Sequence, residues 1–268
     1  MTKNIAVLLL FLLSLLSVLE VQAENWLLTR RVPNLTQYKP GYIKNAVIVV
    51  EPHGAYTEQS LYLEYSDNYG FAGSQSVEII HRFTLPEGAV VNDLWLWIGN
   101  QVMKGLILDT WTARGIYDSS IIPLRIDPAL LTKRGNQYEL KVYPLISGQT
   151  RKIKMNIIVP TRWNANSALV ELPFRYFNAS GGNTLPVDIM FRVKENVWGT
   201  PVLNEIPSSA FKFVTDTLGY SYRKYKINNL MSLNSLHISY QTNFTNGAFF
   251  SNNYVNNLGN YYQIGFVP

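Results

Sequence analysis

Cysteine is absent from this sequence of 268 residues, and only 15% of the residues are charged. Without cysteine the chain has no disulfides, no thiolate metal ligands and no cysteine nucleophile. Secreted animal proteins of this size commonly carry disulfides, whereas exported bacterial proteins with large cores fold without them. For an exported chain, the absence of cysteine therefore favours a bacterial origin.

Residues suited to catalysis are also scarce. The three histidines lie far apart without a metal-binding spacing, and His81 alternates with apolar residues, which is typical of a buried structural histidine. The sequence has no Gly-x-Ser-x-Gly elbow and no glycine-rich phosphate loop. Two carboxylates would suffice for a glycosidase, but those present lie beside turns or helix caps, where carboxylates have structural roles. These carboxylates are Glu87, Asp93, Asp109, Asp118 and Asp127. We predict a protein that is not an enzyme and that holds no metal and no cofactor.

The one long apolar run lies at the start of the sequence. Lys3 precedes residues 5–19, which are apolar except for two serines, and Ala23 offers a small residue for cleavage. This run is shorter than the roughly 20 residues that a membrane-spanning helix needs. We predict a signal peptide over residues 1–23 and an exported protein, in the periplasm, at the cell surface or outside the cell. An uncleaved anchor is the alternative, and we predict no transmembrane span in the mature chain.

The net charge of +5 comes from basic residues that are scattered along the sequence. In residues 152–157, Ile153, Met155 and Ile157 alternate with two lysines and an asparagine, which predicts a half-buried strand with a solvated basic face. No basic aromatic platform is evident, so we predict that the chain does not bind nucleic acid. Weak attraction to anionic glycans or lipid surfaces stays open.

Alternation of apolar and polar residues predicts strands throughout the sequence. Residues 77–83 alternate, and Leu94, Leu96 and Ile98 oppose Trp95 and Trp97, which predicts a central strand covered on both faces. The turn at residues 99–101 predicts a hairpin. Helix is confined to a segment over 111–117, capped by Asp109 or Thr110, and a single turn over 127–131. We predict an all-β antiparallel sandwich with one or two short helices and additional C-terminal strands.

Turn-forming residues divide the sequence into regions. Asparagine and glycine cluster around a short apolar piece at 169–174, which predicts a linker over 164–185. We therefore predict a β-sandwich domain over 24–163. A second β region over 186–268 either completes that sandwich or forms a satellite layer.

The order of elements between Val77 and Pro160 resembles the vault/inter-alpha-trypsin (VIT) domain. A strand enters the turn Leu85-Pro86-Glu87-Gly88-Ala89, followed by an alternating strand at 93–98, a glycine-containing return at 102–105, Ala113-x-x-x-Tyr117, and two closing strands at 138–144 and 151–159. The tryptophans of the second strand are more typical of bacterial exported relatives than of the animal heavy chains. The resemblance implies a β-sandwich that binds or presents a partner.

Four aromatic residues are candidates for an interaction surface: Trp95, Trp97, Trp111 and Tyr117. They form either a platform for a partner or for sugar rings, or part of the core. We predict a non-catalytic exported interaction or scaffold module that contacts a protein partner or an adjacent domain. The strand-like end of the sequence suggests that it is the N-terminal part of a larger surface or envelope protein. The alternative function is a β-sandwich that binds or cleaves carbohydrate.

Overall fold

The computed structural model describes residues 25–32, 36–73, 75–106, 110–119, 129–164, 167–181, 186–192, 198–228, 235–242, 248–256 and 259–267. The predicted signal peptide, residues 1–23, lies outside the described residues. Within them, no helix is both long enough and apolar enough to cross a membrane.

The described residues form strands and one α-helix, α1 (Thr110–Ser119), with a short 3-10 helix at Phe174–Ala179. The strands are β1 (Trp26–Arg31), β2 (Tyr38–Pro40), β3 (Tyr42–Pro52), β4 (Tyr56–Ser66), β5 (Ser76–Thr84), β6 (Val90–Ile98), β7 (Gln101–Lys104), β8 (Ala129–Arg134), β9 (Gln137–Ile146), β10 (Thr150–Pro160), β11 (Arg162–Asn164), β12 (Ser167–Glu171), β13 (Val187–Arg192), β14 (Val202–Leu203), β15 (Lys212–Thr215), β16 (Ser221–Ile227), β17 (His237–Gln241), β18 (Ala248–Asn256) and β19 (Gly259–Val267).

Two sheets form the main β layers. The smaller has five strands in the order β2-β1-β5-β9-β8, and the larger has eight in the order β15-β16-β13-β3-β4-β10-β6-β7. Every pairing in these sheets is antiparallel except that of β13 with β3, which is parallel. The predicted all-β sandwich is confirmed, with this one parallel pair as an addition that local sequence patterns do not indicate.

The core lies on the inward faces of the two sheets. Ile48, Leu61 and Met155 are fully buried on neighbouring strands of the larger sheet, and Ile79 and Leu140 are fully buried on the smaller one. Each strand alternates because successive side chains point to opposite faces, so one face supplies the core and the other faces outward. The predicted alternation of β5 and β10 therefore sets which side chains are available at the surface.

The strands that follow Pro186 extend the larger sheet. β13 pairs with β3, and β16 and β15 continue outward from β13. A separate four-stranded sheet has the order β11-β12-β17-β14, and β18 pairs with β19 in a hairpin. The stretch predicted as a linker contains β12, which pairs with β17, and the 3-10 helix, whose Phe174, Tyr176 and Phe177 are buried. Residues 164–185 are predicted as a linker because asparagines and glycines flank their apolar piece. Burial of that apolar piece instead gives the stretch regular structure.

Two local predictions need correction. The predicted helical turn over 127–131 is wrong in its described part, because Ala129–Arg134 is β8 and pairs with β9. Cross-strand pairing outweighs the weak helical signal there. The strand β6 is not covered on both faces, since Trp95 and Trp97 are only partly buried and β7 is its outer neighbour. The predicted helix over 111–117 and the hairpin at 99–101 are confirmed.

Candidate interaction surface

Helix α1 is fastened to the outer face of the five-stranded sheet by a buried polar cluster. The Tyr117 hydroxyl donates a hydrogen bond to Oε1 of Glu78, 2.5 Å away, and Arg30 forms an ion pair with Oε2 of the same carboxylate. Glu78 is fully buried although it lies on the outward face of β5, because the helix covers it. Partial burial opposes the charge on Arg30, but Glu78 outweighs that effect and raises the pKa of the guanidinium.

The two sides of α1 differ in their environment. Tyr117 packs with Leu130 and Tyr143 in a small apolar cluster, and Ala113, one helical turn earlier, packs against the same cluster. Residues four apart lie on one helical face, so this pair forms the inward side. Trp111 is 88% exposed, and Ile116 is also exposed. The helix therefore presents large apolar side chains to solvent beside its anchored face.

An apolar cavity of about 450 Å³ lies next to this helix. It opens where β7 ends the larger sheet and β8 ends the smaller one, and α1 forms its third wall. We name this cavity the apolar groove and define it by Leu94, Met103, Leu106, Ile116 and Leu131. Three of these residues, Met103, Leu106 and Ile116, are exposed to solvent. The edges of a sandwich leave its interior accessible unless another element covers them.

Trp95 and Trp97 lie elsewhere, on the outward face of the larger sheet. Lys154 on β10 lies 4.4 Å from the Trp95 ring centroid and Lys104 on β7 lies 4.7 Å from it, so a cation from each flanking strand brackets the indole. The indole N–H donates a hydrogen bond to Asp93. These cation–π and hydrogen-bond contacts hold the ring in one orientation and limit access to its faces.

The four aromatic residues singled out in the sequence do not form one surface. Trp95 and Trp97 lie side by side with ring centroids 6.2 Å apart, whereas Trp111 is on α1. Tyr117 is buried, so its predicted place on an interaction surface is corrected to that of an anchor for the helix. Sequence reasoning did not find Met103, Leu106 or Ile116. The sequence indicates these residues only weakly. Nothing in the pattern of residues 102–106 or of α1 distinguishes them from ordinary positions of an edge strand or a surface helix.

Two of the histidines, His81 and His237, and the carboxylate of Glu87 have structural partners. Nδ1 of His81 lies 2.8 Å from the Tyr65 hydroxyl, and burial lowers the pKa of His81 to about 3. His237 lies 2.5 Å from Glu205. Glu87 pairs with an arginine of β11 at the surface. Asp109, Asp127 and the side chain of Asp118 lie outside the described residues. Among the residues the structure describes, no group of three or more histidines or carboxylates could hold a metal ion.

Residues 58–157 match the family model of the Vault protein inter-alpha-trypsin domain. This segment is a VIT domain. It runs from β4 to β10 and contains α1, the β6–β7 hairpin and β8. The apolar groove, the Glu78–Tyr117 anchor and the two neighbouring tryptophans are therefore all features of the VIT segment.

No curated protein matches the chain. Among solved structures the chain is similar to a crystal structure of Legionella pneumophila aminopeptidase A in complex with aspartic acid, with 9% sequence identity and a TM-score of 0.47. The match covers 90% of this chain and 25% of that protein, so the chain spans about a quarter of its length.

The exposure of Trp111 predicts a measurable optical effect. Acrylamide quenches tryptophan by collision, and Trp111 is the most exposed indole among the described residues at 88%. Trp111→Phe should therefore lower the quenching constant of the VIT-domain protein, whereas Trp198→Phe, which removes a buried indole, should not lower it. An unchanged quenching constant in Trp111→Phe would mean that the outer side of α1 is covered in solution.

Proposed function

We propose that this protein is a non-catalytic, exported interaction module whose apolar groove binds another polypeptide, either a separate protein or an adjacent domain. The observation that carries the proposal is the exposed apolar lining of the groove. Apolar side chains scattered singly over a surface are ordinary, but Met103, Leu106 and Ile116 line one cavity, which is the arrangement of a binding site. Its volume of about 450 Å³ lies in the usual range of binding cavities and suits large apolar side chains of a partner.

The anchoring of α1 at the groove also supports binding. Its three walls come from the β6–β7 hairpin, β8 and α1, and the buried Glu78–Tyr117 contact holds α1 in place. A preformed cavity binds with less loss of conformational entropy than one that must order on contact. The VIT segment thus presents a cavity whose walls are in place before a partner binds.

Export and location in the cell envelope rest on the sequence. The N-terminal apolar run with a small residue before Glu24 supports a cleaved signal peptide. The lack of cysteine agrees with a bacterial exported protein. The scarcity of reactive side-chain arrangements in the sequence supports a role without catalysis.

Carbohydrate binding is the second candidate, and the neighbouring, partly exposed Trp95 and Trp97 favour it. Sugars bind by stacking on an open aromatic face. Lys154 and Lys104 bracket Trp95, however, so the pair does not offer two open faces. Adding soluble polysaccharides should leave the tryptophan fluorescence unchanged, and a saturable change lost in Trp97→Ala would establish this second function instead.

Charged substitutions in the apolar groove should weaken partner binding. We expect Ile116→Asp or Met103→Asp to weaken the affinity at least about tenfold, because burying an apolar side chain contributes roughly 1.5–3 kcal/mol and 1.4 kcal/mol corresponds to a factor of ten. Both side chains are at the surface, so the free energy of unfolding should change little. The measurement is a titration against the partner purified from the exported fraction of the native host.

The matched control is Phe213→Asp, which replaces an exposed apolar residue of β15, outside the VIT segment, with the same charge. Its affinity should equal that of the unaltered protein. Equal weakening in all three variants would indicate non-specific apolar contact. Unchanged affinity in both groove variants would place the binding surface elsewhere.

A further inference from the structure

A second, polar cavity of about 260 Å³ lies on the outward face of the five-stranded sheet. Three arginines from three different elements line it: Arg82 of β5, Arg114 of α1 and Arg134 of β8. Glu139 of β9 lies opposite Arg82 in the strand register. We name this cavity the arginine pocket and define it by these four residues.

Arg82 is held in position by two contacts. Its Nη2 donates a hydrogen bond to Oε2 of Glu139 at 2.6 Å, and its guanidinium carbon lies 4.7 Å from the centroid of the Trp26 ring. A guanidinium that is stacked and hydrogen-bonded loses little further freedom when it binds a ligand. Arg82 therefore forms a fixed wall of the arginine pocket.

Among the residues that the structure describes, Glu139 is the one carboxylate that lines this pocket, and it already contacts Arg82. Its Oε1 lies 3.7 Å from Nζ of Lys141. Burial opposes ionisation of Glu139, but the Arg82 hydrogen bond and the charges of Lys141 and Arg114 outweigh it and lower the pKa of the carboxyl. The single negative charge is thus shared among several cations.

The other two arginines are less fully neutralised: the charge of Arg114 acts on Glu139, but among the described residues Arg114 makes no ion pair of the kind that Arg82 makes. In the part of the chain that the structure describes, neither Arg114 nor Arg134 forms an ion pair with a carboxylate. Both residues line the same cavity as Arg82. Like charges that converge on one cavity repel each other, and a bound anion would relieve that repulsion.

We propose that the arginine pocket binds an oxyanion group: a phosphate, a sulfate or a carboxylate. The planar guanidinium donates two parallel hydrogen bonds to such a group, which is why arginine recurs wherever phosphate or carboxylate is recognised. Arg114 and Arg134 supply guanidinium donors that no ion pair occupies among the described residues, and Arg82 with Glu139 forms the opposite wall. This site is independent of the apolar groove, and neither proposal depends on the other.

The test is a calorimetric titration of the full chain at low salt with three probes: inorganic phosphate, inorganic sulfate and an acetylated tetraglutamate peptide. We expect saturable binding of at least one probe. Phosphate or sulfate binding would identify a site for a free or ester-linked oxyanion, and binding of the peptide alone would identify a site for acidic side chains. The double variant Arg114→Gln/Arg134→Gln should bind that probe at least tenfold more weakly.

Two further variants keep the test specific. Arg162→Gln removes the same charge from β11, away from the pocket, and should bind the probe as the unaltered protein does. Arg134→Lys keeps the charge but not the planar donor pair, so its affinity should fall between the two. No saturable binding of any probe, or equal weakening in Arg162→Gln, would overturn the proposal.

Discussion

Glu78→Ala should destabilise the protein by about 3–5 kcal/mol, the effect typical of removing one partner from a buried ion pair. Glu78 is fully buried and contacts both the Arg30 guanidinium and the Tyr117 hydroxyl. Without the carboxylate, a largely buried positive charge and a buried hydroxyl lose their acceptor. The measurement is the free energy of unfolding in urea at neutral pH.

Two controls separate this effect from that of an ordinary ion pair. Glu64→Ala breaks a pair with Lys152 at the surface, where the lysine side chain is 62% exposed, and should cost less than about 1 kcal/mol. Tyr117→Phe removes only the hydroxyl from the helix side and should cost about 1–2 kcal/mol. A Glu78→Ala variant as stable as Glu64→Ala would mean that α1 does not cover the carboxylate.

Acid should destabilise the protein through His81. Burial lowers the pKa of His81 to about 3, so the folded protein holds a neutral imidazole where the unfolded chain has a pKa near 6.5. The unfolded chain therefore binds the proton more tightly, and stability falls as the pH drops from about 6.5 towards 3. At pH 5 the loss from this group should be roughly 2 kcal/mol, at 1.36 kcal/mol per pH unit below 6.5.

The surroundings of His81 explain why it stays neutral. Tyr65 lies 2.8 Å from its Nδ1, and the Tyr176 ring packs against the imidazole with centroids 4.2 Å apart. Neither neighbour carries a negative charge, since burial raises the pKa of both tyrosines. His81→Gln keeps a hydrogen-bond acceptor near Tyr65 but does not titrate in this range. The variant should lose about 2 kcal/mol less than the unaltered protein between pH 7 and pH 5, and equal losses would place His81 in contact with water.

The strands of the VIT segment could be predicted because alternation and turn residues are properties of short, continuous stretches of sequence. Alternation along residues 77–83 and 152–157, and the turn at 99–101, correspond to β5, β10 and the β6–β7 hairpin. The parallel pairing of β13 with β3 joins residues about 140 positions apart, and no local pattern encodes it. At residues 129–131, pairing with β9 overrode a helical signal in the same way.

The candidate sites depend still more on tertiary structure. Met103 and Ile116 belong to different elements and meet only because the two sheet edges and α1 converge. The arginine pocket likewise joins β5, α1 and β8. In the sequence, Trp95, Trp97 and Trp111 are candidates for an interaction surface because of their residue type alone. Whether each side chain can contact a partner depends on its exposure, which only the folded chain determines.

Strands outside the VIT segment complete both of its sheets. β1 pairs with β5 in the smaller sheet, and β3 pairs with β4 in the larger one. The residues that match the family model therefore share their hydrogen-bond ladders with residues on either side. Experiments on the groove should use the full chain for this reason.

The most direct test of the proposed function is photo-crosslinking from within the apolar groove. A benzoylphenylalanine replaces Met103 in the full chain, and a second protein carries it at Phe213 on β15 as a control. If the groove binds a partner, Met103 should yield one discrete polypeptide adduct in the native host. Ile116→Asp should reduce the yield of this adduct at least about tenfold at a limiting partner concentration, and the Phe213 position should not form it. The same adducts from both positions, or an undiminished adduct at Met103 in Ile116→Asp, would contradict a partner-binding role for the groove.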